Sequence, residues 1–157
     1  MPIQQVKIRG FEVAKGFEEH GVTLPTQATE GSAGYDFHIL EDCTILPNET
    51  KLIATGIKAY MKLDEVLELY IRSSMALKYG LTLGNNVGIV DSTYYENPDN
   101  DGHIMFMVNN TSDRPVTIKK GDRIGQGIFK KYLTADSGNS KKERKGGFGS
   151  TNKQGAI

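Results

Sequence analysis

Five short segments carry polar residues that an apolar core does not call for. In Ser32-Ala33-Gly34-Tyr35-Asp36 a carboxylate follows a small-residue turn at the start of a strand; alone, such an Asp most often bonds its own backbone. Arg72-Ser73-Ser74-Met75-Ala76 places a guanidinium and two hydroxyls where a strand gives way to a helix. Free N–H groups and the positive dipole end suit phosphate there, and Ser73 is the expected N-cap. In the stretch from Asn85 through Gly88, Ile89 and Val90 to Asp91 and Tyr94, the carboxylate directly follows an apolar pair. Held at the edge of a packed element, it can orient and deprotonate a water; otherwise it is a turn Asp. In Gly121-Asp122-Arg123-Ile124-Gly125-Gln126, Gln126 shares strand parity with Ile124 and Ile128. If those point to the core, its amide needs partners that neighbouring backbone, a ligand or water supplies, and Gly125 and Gly127 permit close approach. The fifth, Arg144-Lys145-Gly146-Gly147-Phe148-Gly149-Ser150-Thr151, combines a ring for stacking on a flat base with Arg, Ser and Thr for phosphates. The bland alternative is a disordered basic tail.

Other chemistries fail on spacing. Asn97-x-Asp99-x-Asp101-Gly102 starts like a calcium loop, but the twelfth position is Val108 where a bidentate Glu is needed, so a polar hairpin turn is expected. His20, His38 and His103 have no metal-ligand spacing, and Cys43 is the only cysteine, which excludes an internal disulfide and a cysteine zinc site. No phosphate loop of the Walker type occurs.

The elements that must hold these segments read as short strands. Residues 35–39, 51–55, 57–61, 66–71, 104–108, 116–118 and 124–129 are the candidates, separated by Gly, Pro, Asn and Asp. The continuous apolar run 104–108 suits a strand buried on both faces. Only residues 73–79 look helical, about two turns long, with Gly80 as the C-terminal stop. The expected architecture is all-β: a jelly-roll-like barrel or sandwich over residues 1–133, with one short helix. Residues 134–157, nearly devoid of apolar side chains, are expected to form a flexible C-terminal arm.

The chain has 157 residues, 38% hydrophobic and 24% charged, which fits one globular domain with a tail. Nineteen basic and nineteen acidic residues cancel to zero net charge, so no broad grip on nucleic acid is expected. No apolar run reaches ~18 residues, so no membrane association is expected, and residues 1–10 lack a secretory apolar region; a cytoplasmic protein is expected.

In order, the five segments resemble the five motifs of the trimeric deoxyuridine triphosphatase (dUTPase) family, over roughly residues 3–152. The most specific pieces are A-G-Y-D ending at Asp36, R-S-S at 72–74, G-I-V-D-S-T-Y at 88–94 and G-G-F-G-S-T at 146–151. Residues 96–102 resemble a short insertion of some bacterial and phage members. The resemblance implies a jelly-roll fold, a homotrimer with sites at subunit junctions, and Mg²⁺-dependent hydrolysis of dUTP to dUMP and pyrophosphate. By motif, Asp91 orients the attacking water; Asn85 and the backbone of Gly88, Ile89 and Val90 read the uracil edge. Tyr94 packs on the deoxyribose and excludes a 2′-hydroxyl. Arg72, Ser73, Ser74 and Gln126 hold phosphates, Gln126 being counted with Asp91 among the catalytic groups. Asp36 meets the metal through water. Phe148 covers the uracil while Arg144, Gly149, Ser150 and Thr151 complete the arm's grip on substrate.

Some positions depart from the motifs. Glu96 stands where Gly is usual after the third motif, Glu143 holds the basic position of the last one so that Lys142 or Arg144 takes its role, and Asn152 replaces a Gly. Ser74 for Gly and Gly125 for Ala look harmless. Zero net charge is no objection, because a triphosphate needs concentrated donors only, and Mg²⁺ takes phosphate oxygens and water without a protein cage. Two rivals share the scaffold: a dCTP deaminase, disfavoured by the complete third and fifth motifs, and a binding or regulatory protein, disfavoured as a replacement for catalysis because the catalytic residues are all present but open as an added protein-binding role of a dUTPase, as in phage relatives. If phage-encoded, the protein would act in the bacterial host's cytoplasm.

Overall fold

The computed structural model describes residues 1–147. Among them the elements run β1 (Gly10–Val13), β2 (Tyr35–His38), β3 (Cys43–Ile45), β4 (Thr50–Tyr60), β5 (Glu65–Ile71), α1 (Ser73–Tyr79), β6 (Leu81–Leu83), β7 (Gly88–Asp91), a 3₁₀ turn (Ser92–Tyr94), β8 (Ile104–Asn110), β9 (Val116–Ile118) and β10 (Arg123–Lys131). Two antiparallel sheets, β1-β4-β8-β6 and β2-β10-β5-β7, face each other, and β3 pairs with β9. Both sheets stay open at their edges, so the all-β fold is a sandwich, not a closed barrel. Phe37 of one sheet meets Phe106 of the other edge-on, with ring centroids 5.3 Å apart. Both rings are fully buried, and truncating either to Ala is expected to cost ~3–5 kcal/mol.

Two strands correct the reading of the sequence. β8 alternates: Ile104, Phe106 and Val108 are buried between the sheets, whereas Met105 and Met107 are only half-buried on the other side. The apolar run therefore reflects a one-sided strand with methionines on its outer face. In β10 the pairing with β2 slips between Arg123 and Gly125. Ile124 is fully buried, yet Gly125 and Gly127 also face the core: a Cβ on Gly125 would strike the Phe106 ring, and one on Gly127 would lie 2.9 Å from Leu67. The bulge resets the alternation, so Gln126 does not follow Ile124 inward but joins the outer face.

The two strands expected over 51–55 and 57–61 are one, β4, bulged at Thr55 and Gly56 where its register with β8 shifts. Side chains satisfy the backbone groups the bulge frees: Thr55 Oγ1 donates to the Ile104 carbonyl (2.6 Å) and accepts from the Ile57 N–H (3.2 Å). The Gly56 N–H donates to His103 Nε2 at 2.9 Å. The helix forms where expected and ends on Gly80 in the left-handed region (φ 65°), but its N-cap is Arg72, with no side-chain capping bond, and Ser73 is the first helical residue.

Burial pushes the His103 imidazole below its ordinary value of 6.5, and the Gly56 bond requires its neutral form. As pH falls below about 6.5 the unfolded chain takes up this proton before the folded one does, so stability is present above that pH and lost beneath it. Urea unfolding at fixed protein concentration is expected to show stability falling by up to ~1.4 kcal/mol per pH unit below pH 6.5. His103→Gln, which keeps an acceptor and cannot titrate, should flatten that slope; an unchanged slope assigns the loss to other groups.

Candidate active site

β7 pairs only with β5 among the described residues and ends the sheet. An edge strand turns unpaired N–H and C=O groups outward. Beside it opens a cavity of about 390 Å³ lined by Asn85, Gly88, Ile89, Val90, Asp91, Tyr94 and Arg144, together with Leu69, Val87, Ile104, Met105 and Gly147. The first seven are all expected site residues; Val87 and Gly147 lie inside the third and fifth segments without a role of their own, and Leu69, Ile104 and Met105 read from the sequence only as strand core. A Cβ on Gly88 would lie 2.9 Å from Leu69, so only glycine lets β7 sit this close to β5.

The 3₁₀ turn carries the chain from Asp91 to Tyr94, whose ring is buried against the cavity. The Tyr94 hydroxyl donates to the His103 carbonyl (2.5 Å) and accepts from Asn100 Nδ2 (2.8 Å). Burial raises its pKa, so it remains a neutral donor at physiological pH. Asp91, at the end of β7, keeps 59% of its side chain exposed. Arg144 Nη2 donates to Asp91 Oδ2 at 2.8 Å, and the guanidinium stands 5.8 Å from the Tyr94 ring centroid. Beyond it, the Gly147 N–H donates to Asp99 Oδ2 (3.3 Å). The arm thus leaves β10, runs exposed, and buries Gly146 and Gly147 against the cavity rim. Phe148, Gly149, Ser150 and Thr151 lie outside the described residues.

The remaining expected residues gather elsewhere. Gln126 stands opposite Asp36 on β2 and Tyr70 on β5, so the three share the outer face. Gly34 lies directly against the Gln126 side chain, with no room for a Cβ. Arg123 Nη1 donates to Asp36 Oδ2 at 3.3 Å, and the Arg72 N–H bonds the Ile124 carbonyl (3.1 Å), fixing the start of α1, with Ser73 and Ser74, beside β10. Tyr70 in this row went unnoticed, since its sequence marks it only as one residue of an apolar strand.

On one chain the two groups are far apart. Asp91 faces Val66 and Asp36 lies in register with Tyr70, four residues along β5, with three strand spacings between β2 and β7. At 3.4 Å per residue and ~4.8 Å per strand the separation is about 20 Å. No group of three or more His, Cys, Asp or Glu that could hold a metal occurs among the described residues.

The cavity thus offers an edge strand with outward backbone groups, a buried tyrosine beside it and an exposed carboxylate at its end. The dUTPase family model matches residues 20–152. The deoxyuridine 5′-triphosphate nucleotidohydrolase of Lactococcus lactis is 49% identical over 148 residues, 93% of this chain and 99% of that protein. That of Actinobacillus pleuropneumoniae serotype 3 is 39% identical over 83% of this chain and 88% of its own. Among solved structures, the dUTPase of Streptococcus mutans superposes with a TM-score of 0.77 at 41% identity, covering 82% of this chain and 99% of that one. A dUTPase mutant of phage phi11 of S. aureus, solved with a structural Mg(II) ion, has the same fold at 17% identity (TM-score 0.69, 87% of this chain, 98% of that one). The chain belongs to the dUTPase family.

The Arg144–Asp91 pair is an exposed-rim contact of the kind worth ~0.2–1 kcal/mol. Timed trypsin digestion read by mass spectrometry should cut Lys141 and Lys142 before Arg144, and Asp91→Asn should speed cutting after Arg144 about two- to fivefold. Equal rates would show that the pair does not hold the arm.

Proposed function

We propose that the chain hydrolyses dUTP to dUMP and pyrophosphate by attack of water on the α-phosphate, in sites completed by a second copy. The observation that carries this reading is the cavity formed by the β7 edge, Tyr94 and Asp91, with the Asp36–Gln126–Arg72 group about 20 Å away on the same chain. A dUTP molecule cannot bridge that gap at its reacting centre. A neighbouring copy, in a closed ring of three, brings its own Asp36, Gln126, Arg72, Ser73 and Ser74 to the phosphates held before Asp91.

Each chain's part then follows. Asn85 and the outward backbone of Gly88, Ile89 and Val90 take the uracil edge. Tyr94 lies under the deoxyribose, where a 2′-hydroxyl would collide. Asp91 accepts a proton from water as its oxygen bonds the α-phosphorus; the bond to the β-phosphate oxygen breaks and pyrophosphate leaves. In the resting chain Arg144 occupies Oδ2 of Asp91; once the arm moves to a neighbour's site, the freed carboxylate takes the water proton.

The half-buried carboxylate of Asp36, with no metal-holding acidic cluster among the described residues, fits a cation carried mainly by phosphate oxygens and water. Bound there, Mg²⁺ would neutralise phosphate charge. Arg123 holds the Asp36 carboxylate in place. Residues 134–157 are assigned to an arm that closes a neighbour's site, with Phe148 over the uracil and Gly149, Ser150 and Thr151 at the phosphates. The Arg144–Asp91 contact within one chain is its resting form. No helix of the described residues is long and apolar enough to cross a membrane, and we assign the reaction to the cytoplasm, limiting dUTP and supplying dUMP.

Pyrophosphate release from dUTP, dTTP, dCTP and UTP tests the reading: dUTP should be hydrolysed far faster than the others, and ammonia release from dCTP would instead indicate a deaminase. Asp91→Asn should lower kcat by ~10²- to 10⁴-fold while a non-hydrolysable dUTP analogue still binds. Unchanged turnover would remove Asp91 from the chemistry.

A further inference from the structure

Residues 97–102 are expected from the sequence to form a polar hairpin turn, within the 96–102 insertion, and they also hold Tyr94 at both ends. Asn97 Nδ2 donates to the Tyr94 carbonyl (2.8 Å), and Asn100 Nδ2 donates to the Tyr94 hydroxyl (2.8 Å). The orientation of the Asn100 amide is fixed by its other end: Oδ1 accepts from Asn97 Nδ2 (2.8 Å) and from the Gly102 N–H (3.1 Å). A flipped amide would set donor against donor at both contacts. Asn97, itself buried, accepts with Oδ1 from the N–H groups of Asp99 (3.0 Å) and Asn100 (3.2 Å), which sets the turn.

The loop is in turn tied to the body of the protein. Asp101 accepts from the Lys15 N–H (2.8 Å) and from Lys58 Nζ (3.0 Å). Burial works to raise the Asp101 pKa, but these two partners hold it below the usual carboxylate range. Gly102, at φ +83°, packs so tightly under Tyr94 that a Cβ would lie 2.8 Å from the Tyr94 carbonyl oxygen. A ring on a 3₁₀ turn of three residues has little backbone support of its own. The ring is buried among core residues, and two hydrogen bonds hold its hydroxyl end.

We propose that Asn100 is a positioning residue that fixes the tilt of the Tyr94 ring and thereby sets the preference for deoxyribose over ribose. This rests on the reading of Tyr94 as the ring beneath the sugar. A rigid ring rejects a 2′-hydroxyl by contact; a ring free to tilt makes room for it. The same bond places the ring for dUTP, so its loss costs the right substrate and spares the wrong one.

The test compares kcat/KM for dUTP and for UTP in wild type, Asn100→Ala, Tyr94→Phe and the double variant. Asn100→Ala should lower the dUTP-to-UTP ratio about tenfold, the worth of one well-placed hydrogen bond. The double variant should fall no further than Tyr94→Phe, because both substitutions break the same bond. A purely structural role would lower thermal stability and leave the ratio in place. Should Asn100→Ala fail to fold, Asn100→Ser and Tyr94→Phe, which break the bond from either end, carry the same comparison. A ratio within twofold of wild type in these variants, or additive losses in the double variant, overturns the proposal while dUTP hydrolysis by wild type stands. Absence of dUTP hydrolysis in wild type overturns the reading of the site itself, and the proposal with it.

Discussion

Backbone pairing in the β2-β10-β5-β7 sheet sets a distance that no side chain can shorten. β10 and β5 lie between the strand that carries Asp36 and the strand that ends on Asp91, and the register places those carboxylates four residues apart along β5. The sandwich core locks that register, since a one-residue slip would turn Phe37, Leu67 and Val90 out of it. On the proposed reading, a chain built this way carries two half-sites facing the same way on one sheet. Assembly is then a requirement of that reading, and zero net charge is no obstacle to it, because each half-site needs only a few donors.

The other half of the design is the set of satisfied buried polar groups behind the cavity. The β4 bulge leaves backbone groups that Thr55 and His103 complete, and His103 leads through its own carbonyl to the Tyr94 hydroxyl. Buried polar groups cost stability unless every partner is in place, so such a network specifies one geometry strongly. It is built from residues 96–103 and β4, not from the motifs that touch substrate. On the proposed reading, precision at the sugar comes from a segment with no direct chemistry of its own.

Much of this was legible in the sequence for clear reasons. The helix 73–79 and its Gly80 stop were readable because only glycine takes φ 65° without strain. Strand 116–118 was bounded by strong turn residues. The third segment, which the sequence alone left open between a water-orienting carboxylate and a turn Asp, lines the cavity, with Asp91 at the end of β7. What stayed hidden depends on contacts between distant segments. The slip in β10 that turns Gln126 outward arises from pairing with β2, and the one-sided burial of β8 from the layer above it. Methionine reads as core by type alone, so Met105 gave no sign of lining a cavity. Asn97 and Asn100 read as turn formers, which they are; only the fold reveals that the turn closes over Tyr94. The expected Ser73 cap failed because Arg72 already holds the extended conformation that an N-cap needs.

The central claim is that one chain holds only halves of a site, and complementation tests it most directly. One variant carries Asp91→Asn, the other Arg72→Ala with Gln126→Ala, and each alone should be nearly inactive. Unfolded together, refolded at equal amounts and assayed on dUTP, they should recover about a quarter of the activity of wild type treated alike, the fraction of junctions in a randomly mixed closed ring that receive both intact halves. No recovery, with both variants folded and assembled, would mean that Asp91 and the phosphate-holding residues act from the same chain, which contradicts the account.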